Sequence, residues 1–456
     1  MSETIAAIAT GSAVSAIGII RISGGEALTA ADNIFRTTSG TKLKDAENKR
    51  MYYGELVSAG NKLIDLCLCT ISRAPDSYTG EDTVEFHCHG SPVVLAEVLR
   101  ELFSLGVRQA LPGEFTRRAF LNGRLDLTQA EAVIDLIESE TPSAVYNAAG
   151  QLRGAVSLKL EPIYESLINM MSHFHAVIDY PDEDIDEFKL QNYMSVLTDI
   201  DKELHQMLDT HERSKVLRDG IPTAIIGRPN TGKSSLLNAL LGYDRAIVTD
   251  IAGTTRDTIE EKVLIGRVLL RLIDTAGLQK TSDTVEKLGV DRTIAAINKA
   301  GLVVLVLDGS KPLTDGDYEA LRSIPPDTPK IAVVNKSDLP AALKSAQLAD
   351  QNIEFCSVSA LTGEGLDSLD GKIQKLFPEF SSVPSGELIT NVRQAEAISR
   401  AAKSIRLAID ALKDDVTSDA VLTDLEAALS TIGEVTGKTV REDIISQIFN
   451  RFCVGK

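Results

Sequence analysis

The sequence predicts a multidomain α/β chain: an α+β domain, then an all-α domain into which a doubly wound α/β domain is inserted. Three observations carry this. The chain has 456 residues, more than one ordinary core supports, so about three domains are expected. Short β-like runs mixed with helices fill residues 1–118. Helical patterning at period 3.6 covers residues 119–218, gives way to alternating strand and helix over 219–378, and resumes over 379–456.

Composition narrows the class. At 43% hydrophobic and 25% charged, the chain reads as a soluble globular protein. No stretch approaches the ~20 apolar residues of a membrane span, and the start MSETIAAIATGS lacks the basic residues of a signal peptide. The five cysteines (67, 69, 88, 356 and 453) are odd in number and lack zinc-site spacing. Reduced thiols and a cytoplasmic location are therefore expected. Cys67 and Cys69 sit two apart in LIDLCLCTI and should share one strand face, as packing residues. The net charge of −18 argues against a broad grip on nucleic acid, which needs a basic stripe. A nucleic-acid substrate stays open through a local patch or a basic partner protein.

In chain order, IAAIAT and IGIIRIS read as strands and ALTAADNIF as a helix. MYYGELVSAGNKLIDLCLCTIS reads as two strands joined at Ala59-Gly60-Asn61, DTVEFHCHG as a strand and VVLAEVLRELFSLG as a helix. The order is roughly β-α-β-β-α-β. His87 and His89 of HCHG are weak evidence for a metal site. Apolar residues then recur at three and four in LTQAEAVIDLIESETPSAVYNAAGQLRGAV and LEPIYESLINMMSHFHAVI, and again in EAISRAAKSIRLAIDAL and DLEAALSTIGEV. The acidic run DYPDEDIDEF reads as a solvated connection between helices.

The inserted domain carries the chemistry. AIIGRPNTGKSSLLNALLG reads as strand, glycine-rich turn and helix. Gly227-Arg228-Pro229-Asn230-Thr231-Gly232-Lys233-Ser234, followed by Ser235, fits G-x-x-x-x-G-K-[ST], whose backbone N–H groups wrap phosphates at a helix N-terminus. Lys233 would reach the β/γ-phosphates and Ser234 would hold Mg²⁺. Three further elements follow in order, each at the end of an apolar strand: Asp274-Thr275-Ala276-Gly277, Asn335-Lys336-Ser337-Asp338 and Ser359-Ala360-Leu361. Ligands of doubly wound sheets bind at such ends. Asp274 can hold Mg²⁺ through water, and the Gly277 N–H can meet the γ-phosphate. Asp338 can accept the paired N1–H and 2-amino donors of guanine, whereas adenine presents an acceptor there, so GTP and GDP are the expected ligands. Leu278 stands where many GTPases carry a water-orienting glutamine. Glu286 is a candidate to do that work, although spacing alone favours an exposed helix residue.

GRPNTGKSS, DIAGTTRD, DTAGL, NKSD and the terminal FCVGK, together with PGEFTRRAFLNGRLDL, resemble the MnmE (TrmE) family of tRNA-modification GTPases over essentially the whole chain. The resemblance implies an N-terminal tetrahydrofolate-binding-like domain (1–118), a helical domain in two halves (119–218 and 379–456) and a Ras-like P-loop G domain between them (219–378). It implies a K⁺-dependent GTPase activated when its G domains dimerise, with Asn230, Thr249, Ile251 and Thr254 around K⁺. Thr249 and Thr254 count with the GTP site, Thr255 completes the Mg²⁺ shell with Ser234, and Glu286 matches the catalytic Glu. The family usually has Arg where Gln279 stands. Glu85, Arg21, Arg124 and Lys456 match the residues that bind a 5-formyl or 5,10-methylene tetrahydrofolate, and Cys453 matches a catalytic thiol; the family often has Lys at position 124.

The implied function is the GTP-hydrolysing component of a homodimeric complex. With an FAD-dependent partner it would modify C5 of the wobble uridine (position 34) of tRNA, using a folate one-carbon unit. A ribosome-assembly GTPase is the alternative reading, but it should carry a basic RNA-binding module. The tail poses the sharpest choice. Its last four residues formally fit a prenylation pattern, yet Gly455 and Lys456 suit that poorly. A frayed end is the simplest alternative; the family reading instead delivers Cys453 and Lys456 to a folate site.

Overall fold

The computed structural model describes residues 3–11, 13–179, 187–243, 261–266, 268–273, 294–343, 347–348, 351, 353–378, 386–414, 417–440 and 442–455. Packing divides the chain into two compact units: residues 1–134, 151–202 and 396–456, and residues 135–150 and 203–395.

In the first unit, strands β1 (Ile5–Ile8), β2 (Ser15–Ser23), β3 (Phe35–Thr37), β4 (Met51–Val57), β5 (Leu63–Ser72), β6 (Thr83–Gly90) and β7 (Arg108–Gln109) form one sheet in the order β3-β4-β5-β6-β2-β1-β7. Helices α1 (Ala27–Ile34), α2 (Pro92–Ser104) and α3 (Glu114–Leu121) accompany it. The sheet is larger than the expected β-α-β-β-α-β. The helix predicted for ALTAADNIF stops at Ile34, because Phe35 turns into an edge strand and packs its ring 5.5 Å from Phe86.

Strand alternation decides which side chains face which way. On β5, Asp65, Cys67, Cys69 and Ile71 are buried, while Leu66 and Leu68 are exposed. Cys67 and Cys69 join Cys88, Ile20, Ile22 and Phe86 in the inner core with α1 and α2. They are packing residues: a hydrogen bond with Cys88 and burial push the Cys67 thiol up, and burial does the same to Cys69.

Helical segments complete this unit. α4 (Ala155–Asp179) packs along the helix Ser418–Thr436. The final helix, Glu442–Phe449, buries Ile445, Ile448 and Phe449 against Leu127 and Ala130. Residues 180–186, which hold most of the acidic run, lie outside the described residues.

The second unit contains a six-stranded sheet. Its strands are β8 (Ile221–Ile226), β9 (Glu261–Ile265), β10 (Val268–Leu272), β11 (Leu302–Asp308), β12 (Lys330–Asn335) and β13 (Glu354–Val358), in the order β13-β12-β11-β8-β10-β9. All neighbours are parallel except the β9–β10 pair. LVVLVLD of β11 is buried at every residue, as a strand covered on both faces must be. Chain order reverses between β8 and β11, which puts a crevice at their C-terminal ends. Helix α5 (Lys233–Tyr243) leaves that crevice.

Candidate functional site

The loop between β8 and α5 is held by hydrogen bonds from several strand ends. Thr231 Oγ1 donates to the Arg228 carbonyl at 3.0 Å. Gly232 lies at φ +93°, and a Cβ there would run into the Asn335 amide, so only glycine fits. Asn335 is buried at the end of β12. Its Nδ2 donates to Thr231 O at 2.9 Å and its Oδ1 accepts Ala360 N–H at 3.0 Å. One amide therefore staples the glycine loop to the Ser359–Leu361 loop. Asp338 is exposed, and its Oδ1 accepts the Ser359 hydroxyl at 2.6 Å, which fixes the carboxylate's direction.

Lys233 Nζ donates to the carbonyls of Gly227 and Arg228, both at 2.8 Å, and burial pushes its pKa down. A half-buried ammonium resting on two carbonyls is poised for a stronger anion. Lys336 Nζ donates to Asn230 O at 2.9 Å and to Asp308 Oδ2 at 2.7 Å. Burial pushes the Asp308 carboxyl up, but hydrogen bonds from Lys336 and Ser310 outweigh it and hold the group below its usual range. Arg228 Nε donates to the buried Asp317 at 2.8 Å, tying the loop to the helix Asp315–Arg322.

Asn230, Thr231, Lys233, Asn335, Lys336, Asp338, Ser359 and Ala360 are thus brought together by these hydrogen bonds, with Gly232 packed against Asn335. Ser234 and Ser235 stand exposed at the start of α5, and Leu361 is exposed beside Ala360. Thr249, Ile251, Thr254, Thr255, Asp274, Thr275, Ala276, Gly277 and Glu286 lie outside the described residues, as do Leu278, Gln279 and Lys456. Sequence reasoning passed over Asp308, although its position at the end of an apolar strand was the available signal.

The outer face of the first unit's sheet carries a second cluster. Arg21 and Glu85 are direct strand partners, with Arg21 Nε 2.7 Å from Glu85 Oε1. The guanidinium also lies 5.4 Å from the Tyr78 ring and 5.6 Å from that of Phe115. His87 Nε2, 3.7 Å from Glu85 Oε2, is buried and has no hydrogen-bond partner. An ion pair under two aromatic rings beside an orphaned ring nitrogen fits a flat heterocycle with several N–H groups. Arg124 is exposed, its stem against Gly80 of the Thr79–Glu81 turn. Glu81 faces elsewhere and accepts Ser23 Oγ and Arg118 Nη1. His89 pairs with the buried Asp65 at 2.7 Å. No metal-binding group of His, Cys, Asp and Glu gathers among the described residues. Tyr78 and Phe115 were missed in the sequence, and His87 was weighed there only as a weak metal candidate, because strand register and a separate helix assemble them.

The terminal segment is docked on this unit. Phe452 is buried against Phe449, ring centroids 5.4 Å apart. Cys453 O accepts Gly113 N–H, Val454 forms a bridge with Pro112, and Gly455 is buried against the Ile8 carbonyl. Cys453 itself is exposed. A frayed end would show none of these contacts.

A mostly parallel sheet with a G-x-x-x-x-G-K-S loop at its switch point, backed by an NKSD strand end, defines a P-loop GTPase of the guanine-nucleotide class. Whole-chain similarity supplies the rest. The MnmE helical domain family matches residues 127–453, and the GTP-binding protein TrmE N-terminus family matches residues 4–124. The tRNA modification GTPase MnmE of Clostridioides difficile is 41% identical over 459 residues, covering 100% of both chains. That of Symbiobacterium thermophilum is 43% identical over 456 residues, covering 100% of this chain and 99% of the relative. An Era structure from Aquifex aeolicus bound to GDP and AlF4⁻ is 27% identical, covers 41% of this chain and 66% of that one, and superposes with a TM-score of 0.27. The chain belongs to the MnmE family of tRNA modification GTPases and is a GTP-hydrolysing enzyme. Among the described residues, no helix is long and apolar enough to cross a membrane.

Proposed function

We propose that this protein is the GTP-hydrolysing component of a tRNA wobble-uridine modification complex, acting at C5 of position 34 with an FAD-dependent partner and a folate one-carbon unit. Full-length similarity at about 40% identity supports the tRNA substrate. The observation that carries the rest is the docking of the Cys453 segment on the unit that bears the Arg21–Glu85 pair.

In the G domain, read as residues 219–378, Asp338 reads guanine and Lys233 meets the β/γ-phosphates. Ser234 and Thr255 hold Mg²⁺, and Asn230 with Thr249, Ile251 and Thr254 holds K⁺. Asp274, Thr275, Ala276 and Gly277 contact the γ-phosphate side, and Glu286 orients water. When bound, the two cations neutralise charge that develops on the phosphates. Asn230 is exposed at the turn of the loop in the left-handed region, where its side-chain oxygen could join a cation site while Lys336 holds its backbone carbonyl.

In the folate-like domain, read as residues 1–118, Glu85 accepts the paired N–H groups of a pterin and Arg21 supplies positive charge, joined by Arg124 and Lys456 from beyond that domain. Homodimerisation has a surface available. Ile17, Met51, Tyr53, Leu66 and Leu68 are exposed on the same sheet face as Arg21 and Glu85. A partner covering this face would also enclose the ion pair.

Nucleoside analysis of tRNA from cells lacking the protein tests the proposal: the wobble uridine should lose its C5 substituent. An unchanged wobble uridine, with ribosomal-RNA precursors accumulating instead, would favour a ribosome-assembly role.

A further inference from the structure

Asp308 closes β11, and its strand partner is Asn335 of the NKSD element. Its side chain is 4% exposed. Oδ1 accepts the Ser310 hydroxyl at 2.6 Å and the Ser310 N–H at 3.1 Å; Oδ2 accepts Lys336 Nζ at 2.7 Å. The same ammonium donates to Asn230 O at 2.9 Å. Lys336 and Asn230 lie at φ +66° and +65°, a region that non-glycine residues keep only where neighbours over-determine it. One cation therefore ties two left-handed turns to one buried carboxylate. The two turns come from opposite sides of the crevice, one on the glycine loop and one after β12.

Resting on the reading of residues 227–234 as the phosphate loop, we propose that Asp308 is a positioning residue for guanine-nucleotide binding, which holds Lys336 against Asn230 and so keeps the phosphate loop in its binding conformation. It acts through Lys336 and through the charge it supplies. An asparagine in its place could still accept from Ser310, but its Nδ2 would face the ammonium donor to donor. Lys336 would then turn to solvent, and the Asn230 carbonyl would lose its partner. Because a buried carboxylate paired with one cation is costly to leave alone, the three groups should respond as a unit.

The test is release of a fluorescent GDP analogue from the full-length protein, chased with excess GDP. Asp308→Asn should release it about tenfold faster, the order of one charge-assisted hydrogen bond. Lys336→Met should do the same, and the double variant should be no faster than either single one. Ser310→Ala, which loosens Asp308 without touching Lys336, should give a smaller rise, and it carries the test if the Asp308 variant does not fold. Preference for GDP over the xanthine analogue should not change, since Asp338 reads the base. Wild-type release from Asp308→Asn or, where that variant does not fold, from Ser310→Ala would overturn the proposal. So would effects of Asp308→Asn and Lys336→Met that multiply in the double variant. If Lys233→Ala binds the analogue at wild-type affinity, the loop reading itself fails; if it does not and Asp308→Asn is silent, only the role of Asp308 is lost.

Discussion

Gly455→Ala should undock the terminal segment while leaving the folded core intact. Gly455 sits at φ +102°, and an added Cβ would overlap the backbone oxygen of Ile8. The conformation alone costs an L residue about 1–3 kcal/mol. The overlap cannot be relieved by a rotamer, because the obstacle is main chain of β1, itself paired with both β2 and β7. Against this, the segment is anchored mainly by Phe452, whose burial contributes about 1.5–3 kcal/mol. The two terms are comparable, so the segment rather than the sheet gives way. A net loss of about 2–3 kcal/mol lowers the docked-to-undocked ratio roughly 30- to 150-fold. Trypsin cleavage after the exposed Arg451, followed by mass spectrometry, reads this ratio directly. Cleavage should accelerate by that factor while thermal unfolding of the rest shifts little, and tRNA modification should fall with GTP turnover retained. Cleavage and modification at wild-type rates would refute the docking argument.

Further outcomes follow from the same geometry. Asp338→Asn should weaken GTP and favour xanthosine triphosphate, whose 2-oxo group suits an amide donor; nucleotide competition measures this, and a retained GTP preference would remove Asp338 from base reading. If Asn230, Thr249, Ile251 and Thr254 hold K⁺ as proposed, GTP turnover should be much faster in KCl than in NaCl, since the smaller Na⁺ would fill the same ligand set less well; equal rates would remove K⁺ from the mechanism. Cys453→Ser should abolish tRNA modification with GTP hydrolysis near normal, and full modification by that variant would make the exposed thiol dispensable. Burial lowers the Lys233 pKa in the free protein, and phosphate should raise it again. Between those two values nucleotide binding takes up a proton, and affinity falls as pH rises through the window. Calorimetry in buffers of different ionisation enthalpy at alkaline pH detects this, and no buffer dependence would place Lys233 away from the phosphates.

How much of this was legible in the sequence depends on how far apart the interacting residues are along the chain. The phosphate loop was readable because a short segment does the whole job: Gly232 and Lys233 act within one turn, and NKSD repeats the logic at the next strand end. Its support was not readable. Asn335 meets Thr231, and Lys336 meets Asn230, only once β8, β11 and β12 lie side by side. Arg21 and Glu85 came from family resemblance alone, as separate contacts, because nothing in the local sequence pairs them. Strand register now gives the pair a physical setting, since β2 and β6 place the two opposite each other beneath Tyr78 and Phe115. The strand count was misjudged for the same reason: nothing local distinguishes Phe35 as the last residue of a helix from Phe35 as the first of an edge strand, and its contact with Phe86 decides.

The terminal segment is the extreme case. Nothing within FCVGK separates a frayed end from a docked one, because the residues that settle it, Ile8, Pro112 and Gly113, belong to the other end of the chain. Their spacing has a functional consequence. Gly455 touches the carbonyl of Ile8, whose neighbour Ala7 is the strand partner of Arg21. The contact that orders the segment is therefore made on the strand beside the candidate ligand cation. On the proposed reading, docking and delivery of Cys453 are one event, so the glycine that permits close approach should matter to tRNA modification as much as the thiol does.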